Sequence, residues 1–248
     1  EYVENTGGNL FRLAGVGAHY VLLSGRWFQA ISLDGPWRFV PQSELSEEFS
    51  RIPYDSPKEN VKASVAGTAQ ASEALIANSI PETAEIQRAK AKFAARIDGE
   101  PQWKPVDPAR PEPTALAYVE NSPTPILRVR KDAYYAIDRG VWFVAKDVAG
   151  PWVVAVDIPN EIYAIPASSP LHYVTYARVY GSTATEVTVG YTPGYYGTVV
   201  ADQVVVYGTG YSYSPWVGNY WYGYPGTYGS ACAGTYTPWG GWAYSCGV

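Results

Sequence analysis

The chain has 248 residues with 23 acidic and 18 basic side chains, a net charge of −5, and 17% charged against 15% aromatic residues. That length suffices for one large all-β domain or two small ones around a sizeable core. The negative balance, with Lys and Arg scattered rather than striped, excludes a nucleic-acid footprint, and no apolar run is long enough to span a bilayer. Low charge and abundant Tyr and Trp suit a secreted or surface-located protein. The sequence opens on Glu1 and contains no methionine, which predicts a processed or partial chain, with an export signal as a candidate for what was removed.

The first clear elements lie between residues 20 and 40. Tyr20-Val21-Leu22-Leu23 meets a Ser24-Gly25 turn, then Trp27-Phe28, then an Asp34-Gly35-Pro36 turn, then Trp37, Phe39 and Val40. Apolar runs bounded by such turns predict a three-stranded meander. Thr68 is placed to cap a helix over Ala69 to Asn78, with Ala71, Leu75 and Ile76 as its apolar side and Pro81 as its stop. Residues 84–97 carry conflicting signals. Propensity weakly favours helix around Glu85 to Lys90, but Lys92 to Ile97 alternates and ends at Asp98-Gly99, so strand is predicted. Pro101, Pro105, Pro108, Pro111 and Pro113 then predict an extended linker.

Beyond the linker the earlier pattern returns. Tyr2-Val3-Glu4-Asn5-Thr6 reappears as Tyr118-Val119-Glu120-Asn121-Ser122, and Gly25-x-Trp27-Phe28 as Gly140-x-Trp142-Phe143. Gly35-Pro36-Trp37 matches Gly150-Pro151-Trp152. Ile52-Pro53-x-x-Ser56-Pro57 matches Ile165-Pro166-x-x-Ser169-Pro170, and Gly67-Thr68 matches Gly181-Ser182. The order is kept at an offset of about 115 positions, which implies two similar modules rather than a many-unit solenoid. Tyr173 to Tyr180 predicts a long alternating strand and Glu186 to Tyr191 another. Thr192 to Gly197 predicts a turn, and Val204 to Tyr207 a closing strand.

From Tyr207 to Val248 there is no Asp, Glu, Lys, Arg or His, and Gly alternates with Tyr and Trp. A Gly-rich segment that is ordered has lost about 1–2 kcal/mol of conformational entropy per residue, and burial of its rings is the compensation expected. Trp216, Tyr220, Trp221, Tyr222, Trp239 and Trp242 are therefore the expected assembly contacts. Cys232 and Cys246 fall in the same stretch and are expected to form a disulfide in an oxidising compartment.

Chemistry is sparse. His19 and His172 have no Cys, His or acidic neighbour at metal-ligand spacing. Gly15-Val16-Gly17 and Gly208-Thr209-Gly210 lack the third glycine and the helix of a dinucleotide loop, and no GxSxG elbow occurs. Asp34 and Asp147, or Glu44, Glu47 and Glu48, are the carboxylates available for glycosidase work; the first is better read as a turn residue and the Glu run as a solvated one. No enzymatic activity, cofactor or metal is expected. Trp27, Trp37, Trp142 and Trp152 are candidate stacking platforms for a sugar, weighed against a place in the cores of small sheets.

On four stretches the sequence resembles bacterial exported proteins known by the label carbohydrate-binding family V/XII: Tyr20 to Trp37, Ser64 to Ile80, Ser169 to Tyr180 and Val189 to Tyr211. The resemblance implies an exported protein with duplicated WF…GPW hairpins and a Gly-aromatic C-terminal region, and it carries over no catalytic residue.

The expected fold is mainly β: two duplicated small antiparallel modules, one short helix near 69–78, and an extended Gly/Tyr/Trp-rich C-terminal segment. The expected organisation is a first module with a helical insertion (1–98), a linker (99–115), a second module (116–206) and the aromatic tail (207–248). The expected function is an extracellular or cell-surface structural protein of a bacterium that self-assembles through its aromatic tail and β edges. The alternative is a carbohydrate-binding module. Copies of the chain are the expected partners, with a polysaccharide as the alternative and no nucleic acid.

Overall fold

Tight two-residue turns between β-rich runs close two meanders of one plan. The computed structural model describes residues 1–107, 109, 116–212, 231–237 and 241–247, the last two stretches as backbone. The chain is mainly β, and every strand pairing among the described residues is antiparallel. It divides into two compact units. The first comprises Glu1–Ile80 with Thr198–Gly208, and the second Pro81–Gly197 with Thr209–Val248. The boundaries differ from those expected, because residues 81–98 join the second unit and the hairpin 198–208 joins the first.

The first unit holds β1 (Asn9–Arg12), β2 (His19–Leu23), β3 (Arg26–Ala30) and β4 (Arg38–Val40), in that order across one sheet. Ser24 and Gly25 turn between β2 and β3 with φ of 51° and 78°, the left-handed pair that matches strand twist in a two-residue hairpin. Gly25 has a second reason: a Cβ there would lie 2.6 Å from the Val205 carbonyl oxygen. The hairpin Thr198–Ala201/Val204–Tyr207 comes in at that point. Arg26 donates to the carbonyls of Tyr207 (2.9 Å) and Gly208 (2.8 Å), and the Tyr207 N–H donates to Ser24 (3.0 Å). On the sheet's inner face Phe11, Tyr20, Trp27 and Val40 meet Phe49, Val61 and Val65. The helix α1 (Ala69–Ser79) starts where Thr68 accepts the Ala71 N–H at 3.1 Å. Its inward stripe is Ala71, Ala74, Leu75 and Asn78, whereas Ile76 is exposed.

The second unit holds β5 (Glu82–Gln87), β6 (Trp103–Pro105), β7 (Ala117–Val119), β8 (Ile126–Arg130), β9 (Ala133–Asp138), β10 (Val141–Ala145), β11 (Val153–Val154), β12 (Ala177–Ser182) and β13 (Glu186–Tyr191). Six of these form one sheet in the order β11-β10-β9-β8-β7-β6, and three form a second in the order β12-β13-β5. The one-turn helix α2 (Asn160–Tyr163) and 3-10 segments cover the first sheet's inner face with Ile162, Leu171, Tyr173 and Val174.

The repeated sequence anchors become repeated bonds. Trp27 and Trp142 are both fully buried. Each donates its indole N–H to a carbonyl at the end of a 3-10 segment: Ser64 at 2.7 Å, after Glu59–Ser64, and Ala177 at 2.9 Å, after His172–Tyr176. Ser56 and Ser169 each bond back to Pro53 and Pro166 and accept an N–H two residues on, from Lys58 and Leu171. Gly35-Pro36 and Gly150-Pro151 are both cis. The repeat then parts company, since Thr68 opens a helix where its counterpart Ser182 ends a strand.

Several expectations are corrected. Tyr173 to Tyr176 is a 3-10 turn rather than strand, because Tyr173 and Val174 must reach the core while the Trp142 N–H claims the carbonyl that follows. Of residues 84–97, for which strand is expected, only those up to Gln87 are strand, in β5. Residues 91–97 alternate half-buried and exposed, as period two predicts, but join no ladder. The linker region contains an edge strand, β6, and its residues 108 and 110–115 lie outside the described part. The tail is not merely extended, for Ala231–Thr237 pairs with Gly241–Gly247.

Replacing Trp27 or Trp142 by Phe removes ring volume and orphans a buried carbonyl. Each change should cost about 2–4 kcal/mol, against less than about 1 kcal/mol for Trp37→Phe at a half-exposed site. Chemical denaturation midpoints check this ranking.

Candidate interaction face

The four hairpin tryptophans split into two kinds. Trp27 and Trp142 have no exposed ring face, so they serve as core residues and offer a sugar nothing to stack on. Trp37 and Trp152 are half-buried. Each folds its ring over the glycine two residues before it. A Cβ on Gly35 would lie 3.1 Å from Trp37 Cδ1, and one on Gly150 would lie 2.9 Å from Trp152 Cδ1. With φ of 85° and 98° at these positions, only glycine fits without strain.

The outer faces of the two meanders carry the same cross-strand row. In the first unit Leu10 faces Val21, Val21 faces Phe28, and Phe28 faces Phe39. In the second, Ile126 faces Ala136, Ala136 faces Phe143, and Phe143 faces Val154. Burial separates them. Ile126, Ala136, Phe143 and Val154 are all buried. Phe93 stacks on Phe143 at 5.2 Å and 26° and meets Trp152 edge-on at 5.2 Å. Ala95 and Ile97 extend that cover, and Ile86, Val187 and Val189 of the second sheet complete it. Asn121 anchors the chain that follows, donating to the carbonyls of Asp98 (2.6 Å) and Glu100 (2.9 Å).

In the first unit the row ends in the open. Phe39 is 48% exposed and Leu23 50%, and the loop before β4 adds Leu33 at 55% and Ile31 at 77%. Phe28 packs edge-on against Phe39 at 6.0 Å. Contiguous apolar exposure rimmed by polar groups marks an interaction site more often than scattered single residues do. Sequence reading singled out the tryptophans and missed Leu23 and Phe39. The available signal was positional: the alternating Phe93, Ala95, Ile97 segment precedes the second meander.

Groups suited to catalysis are held by structural partners. His172 Nδ1 donates to the Ile165 carbonyl at 2.7 Å, which leaves Nε2 to accept from the Tyr176 hydroxyl at 3.3 Å while the ring is neutral. Burial, partly offset by that carbonyl, pulls its pKa below the usual histidine value. Burial raises the Tyr163 and Tyr176 phenols, and Tyr118 is pushed up to about 12 by burial and the nearby Glu120, so these phenols stay neutral at ordinary pH. Asp147 accepts the Ala149 N–H at 2.8 Å as a turn residue, and Asp34 lies in the loop before Gly35-Pro36. Glu44, Glu47 and Glu48 pair with Arg38 or Arg51 at exposed positions. Among the described residues no group of three or more His, Cys, Asp or Glu could hold a metal ion, and no helix is long and apolar enough to cross a membrane.

Of the expected assembly residues, Trp216, Tyr220, Trp221, Tyr222 and Trp239 lie outside the described residues. Trp242 is placed as backbone, opposite Tyr236. Comparison with family models, with curated proteins and with solved structures returned no match.

Two outcomes test this description. Phe39→Lys should change stability by less than about 1 kcal/mol, while Phe143→Lys at the equivalent row position should cost more than about 4 kcal/mol or prevent folding; urea titration of both separates bare from covered. The second concerns pH. A histidine whose folded pKa lies below its unfolded value binds fewer protons when folded. Its stabilising contribution is full above about pH 6.5 and falls as pH drops toward the folded pKa. Wild type should therefore lose stability between pH 7 and 5 that His172→Gln does not lose, as read from denaturation midpoints.

Proposed function

We propose that this chain is a structural protein of the bacterial cell surface or extracellular space that assembles with copies of itself, and that the exposed Leu23 and Phe39 on the outer face of its first meander form one contact. The observation that carries this is the difference between two faces with one register. In the second unit a further sheet and an extended segment cover the row, whereas in the first Leu23 and Phe39 stay exposed. Two such faces from two copies are alike and so self-complementary about a two-fold axis. Packed face to face they form the aligned two-sheet layer that a one-sided sheet requires. β4 is an edge strand of that sheet, whereas residues 1–3 bond to the outer edge of β1, and an edge templates pairing between chains. The uncharged composition of residues 207–248 adds surface with no like-charge repulsion to resist close approach, and the resemblance to exported hairpin proteins supports the location.

A carbohydrate-binding reading keeps one observation. Trp37 is half-exposed and shares the outer side of the meander with Phe39, so a sugar ring could lie against it.

Sedimentation velocity across a wide concentration range discriminates. Mass should rise above that of the monomer with concentration, and Phe39→Lys should shift the transition at least about tenfold upward, as expected from about 1.4 kcal/mol or more of lost contact. A monomer at every concentration defeats assembly. Retention of that monomer on chitin, cellulose or peptidoglycan, lost in Trp37→Ala, would establish the sugar reading instead.

A further inference from the structure

We propose that Cys232 and Cys246 are joined within one chain by a disulfide that fixes the register of the C-terminal hairpin. In the pairing of Ala231–Thr237 with Gly241–Gly247 the two cysteines are direct partners across the ladder. Such partners in an antiparallel pair have Cα atoms about 4.5–5.5 Å apart, inside the range of about 4.4–6.8 Å that a disulfide spans. A slip of one residue would bring Cys232 opposite Ser245 or Gly247 and lose the match.

The sequence of the two strands sets that register only weakly. Alternate positions on one row pair Ala231 with Gly247, Ala233 with Ser245, Thr235 with Ala243 and Thr237 with Gly241. The other row pairs Cys232 with Cys246, Gly234 with Tyr244 and Tyr236 with Trp242. One row is therefore made of small residues throughout, and residues 207–248 contain no charged side chain to set pairing by attraction or repulsion. Gly-rich strands of this kind specify register weakly, and a two-stranded hairpin is marginal alone in water. A covalent link between the directly paired Cys232 and Cys246 fixes one position of the ladder and with it the register of the rest.

The chemistry is thiol–disulfide exchange. One cysteine thiolate attacks an external disulfide, such as oxidised glutathione or a disulfide-carrying oxidoreductase, and expels one of its thiols. The second cysteine thiolate then attacks the mixed disulfide and expels the other. The chain loses two protons and two electrons, and the external disulfide is reduced to two thiols. Such bonds persist in oxidising compartments, so this link would mark the chain as exported whether or not its copies assemble.

The experiment uses the full chain, reduced, freed of reductant, incubated with oxidised glutathione and then treated with iodoacetamide. Expected are no alkylation, no retained glutathione and a mass about 2 Da below that of the reduced chain. Arg178 is the last Lys or Arg, so trypsin leaves both cysteines on one peptide, while chymotrypsin, cutting after Tyr236 or Trp242, should leave two fragments held together only until reductant is added. Cys232→Ser should keep one stable glutathione adduct. Alkylation of both thiols in wild type, retained adducts like the variant's, or linkage between chains on a non-reducing gel would each overturn the proposal.

Discussion

A buried indole N–H left without an acceptor is costly, and at Trp27 and Trp142 meeting that demand ties each meander to the chain lying beneath it. An unpaired donor shut away from water costs roughly 1–3 kcal/mol, so Trp27 and Trp142 can fill their cores only if a carbonyl is delivered to the ring edge. In both units a 3-10 segment delivers it, through Ser64 and Ala177. The Pro-x-x-Ser-Pro stretch upstream positions that segment by bonding Ser56 to Pro53 and Ser169 to Pro166. Motifs well separated in sequence thus serve one bond, which explains why the WF hairpin and the Ile-Pro-x-x-Ser-Pro stretch recur together.

A sheet has two faces, and this constraint settles only one of them. Trp27 and Trp142 lie on the inner side, while Phe28 and Phe143, one residue on, lie by strand alternation on the outer. The outer row is apolar in both units, and among the described residues it is buried throughout in the second while Phe39 stays exposed in the first. Sealing needs material with a matching period. Phe93, Ala95 and Ile97 supply it at alternate positions without joining a ladder, and Asn121 fixes the chain that follows by holding the carbonyls of Asp98 and Glu100. The counterpart Asn5 is exposed. The sequence motif is shared, but Asn121 is buried where Asn5 is not.

What could be read in advance follows the range of the forces involved. The hairpins were legible because Ser24-Gly25 and Arg139-Gly140 are local, with positive φ at both positions of each. The helix was legible from Thr68, a cap acting over three residues. Tyr173 to Tyr176 was misread because β-branched and aromatic content reports a preference for pleated surface, while the demand for a carbonyl at Ala177 comes from Trp142, distant in sequence. The hairpin 198–208 was assigned to the wrong unit for a similar reason. Its docking rests on Arg26 and on the missing side chain of Gly25, and neither residue announces a partner so far along the chain. The exposure of Phe39 was illegible in kind: Leu10, Val21, Phe28 and Phe39 look like Ile126, Ala136, Phe143 and Val154, and burial separates Phe39 from Val154.

That likeness also bears on the proposed contact with copies of the chain. Among the described residues the groups with perturbed titration are engaged in holding the fold. His172 spans Ile165 and Tyr176, and the raised phenols owe their shifts chiefly to burial rather than to a polar cleft. The feature left outside the internal accounting of the first unit is apolar area, at Leu23 and Phe39 and in the loop at Ile31 and Leu33. Water's exclusion from apolar surface is non-directional and scales with area. A face of this kind gains little from one small polar ligand and most from a second broad apolar surface, which a copy of the same chain carries at the same place.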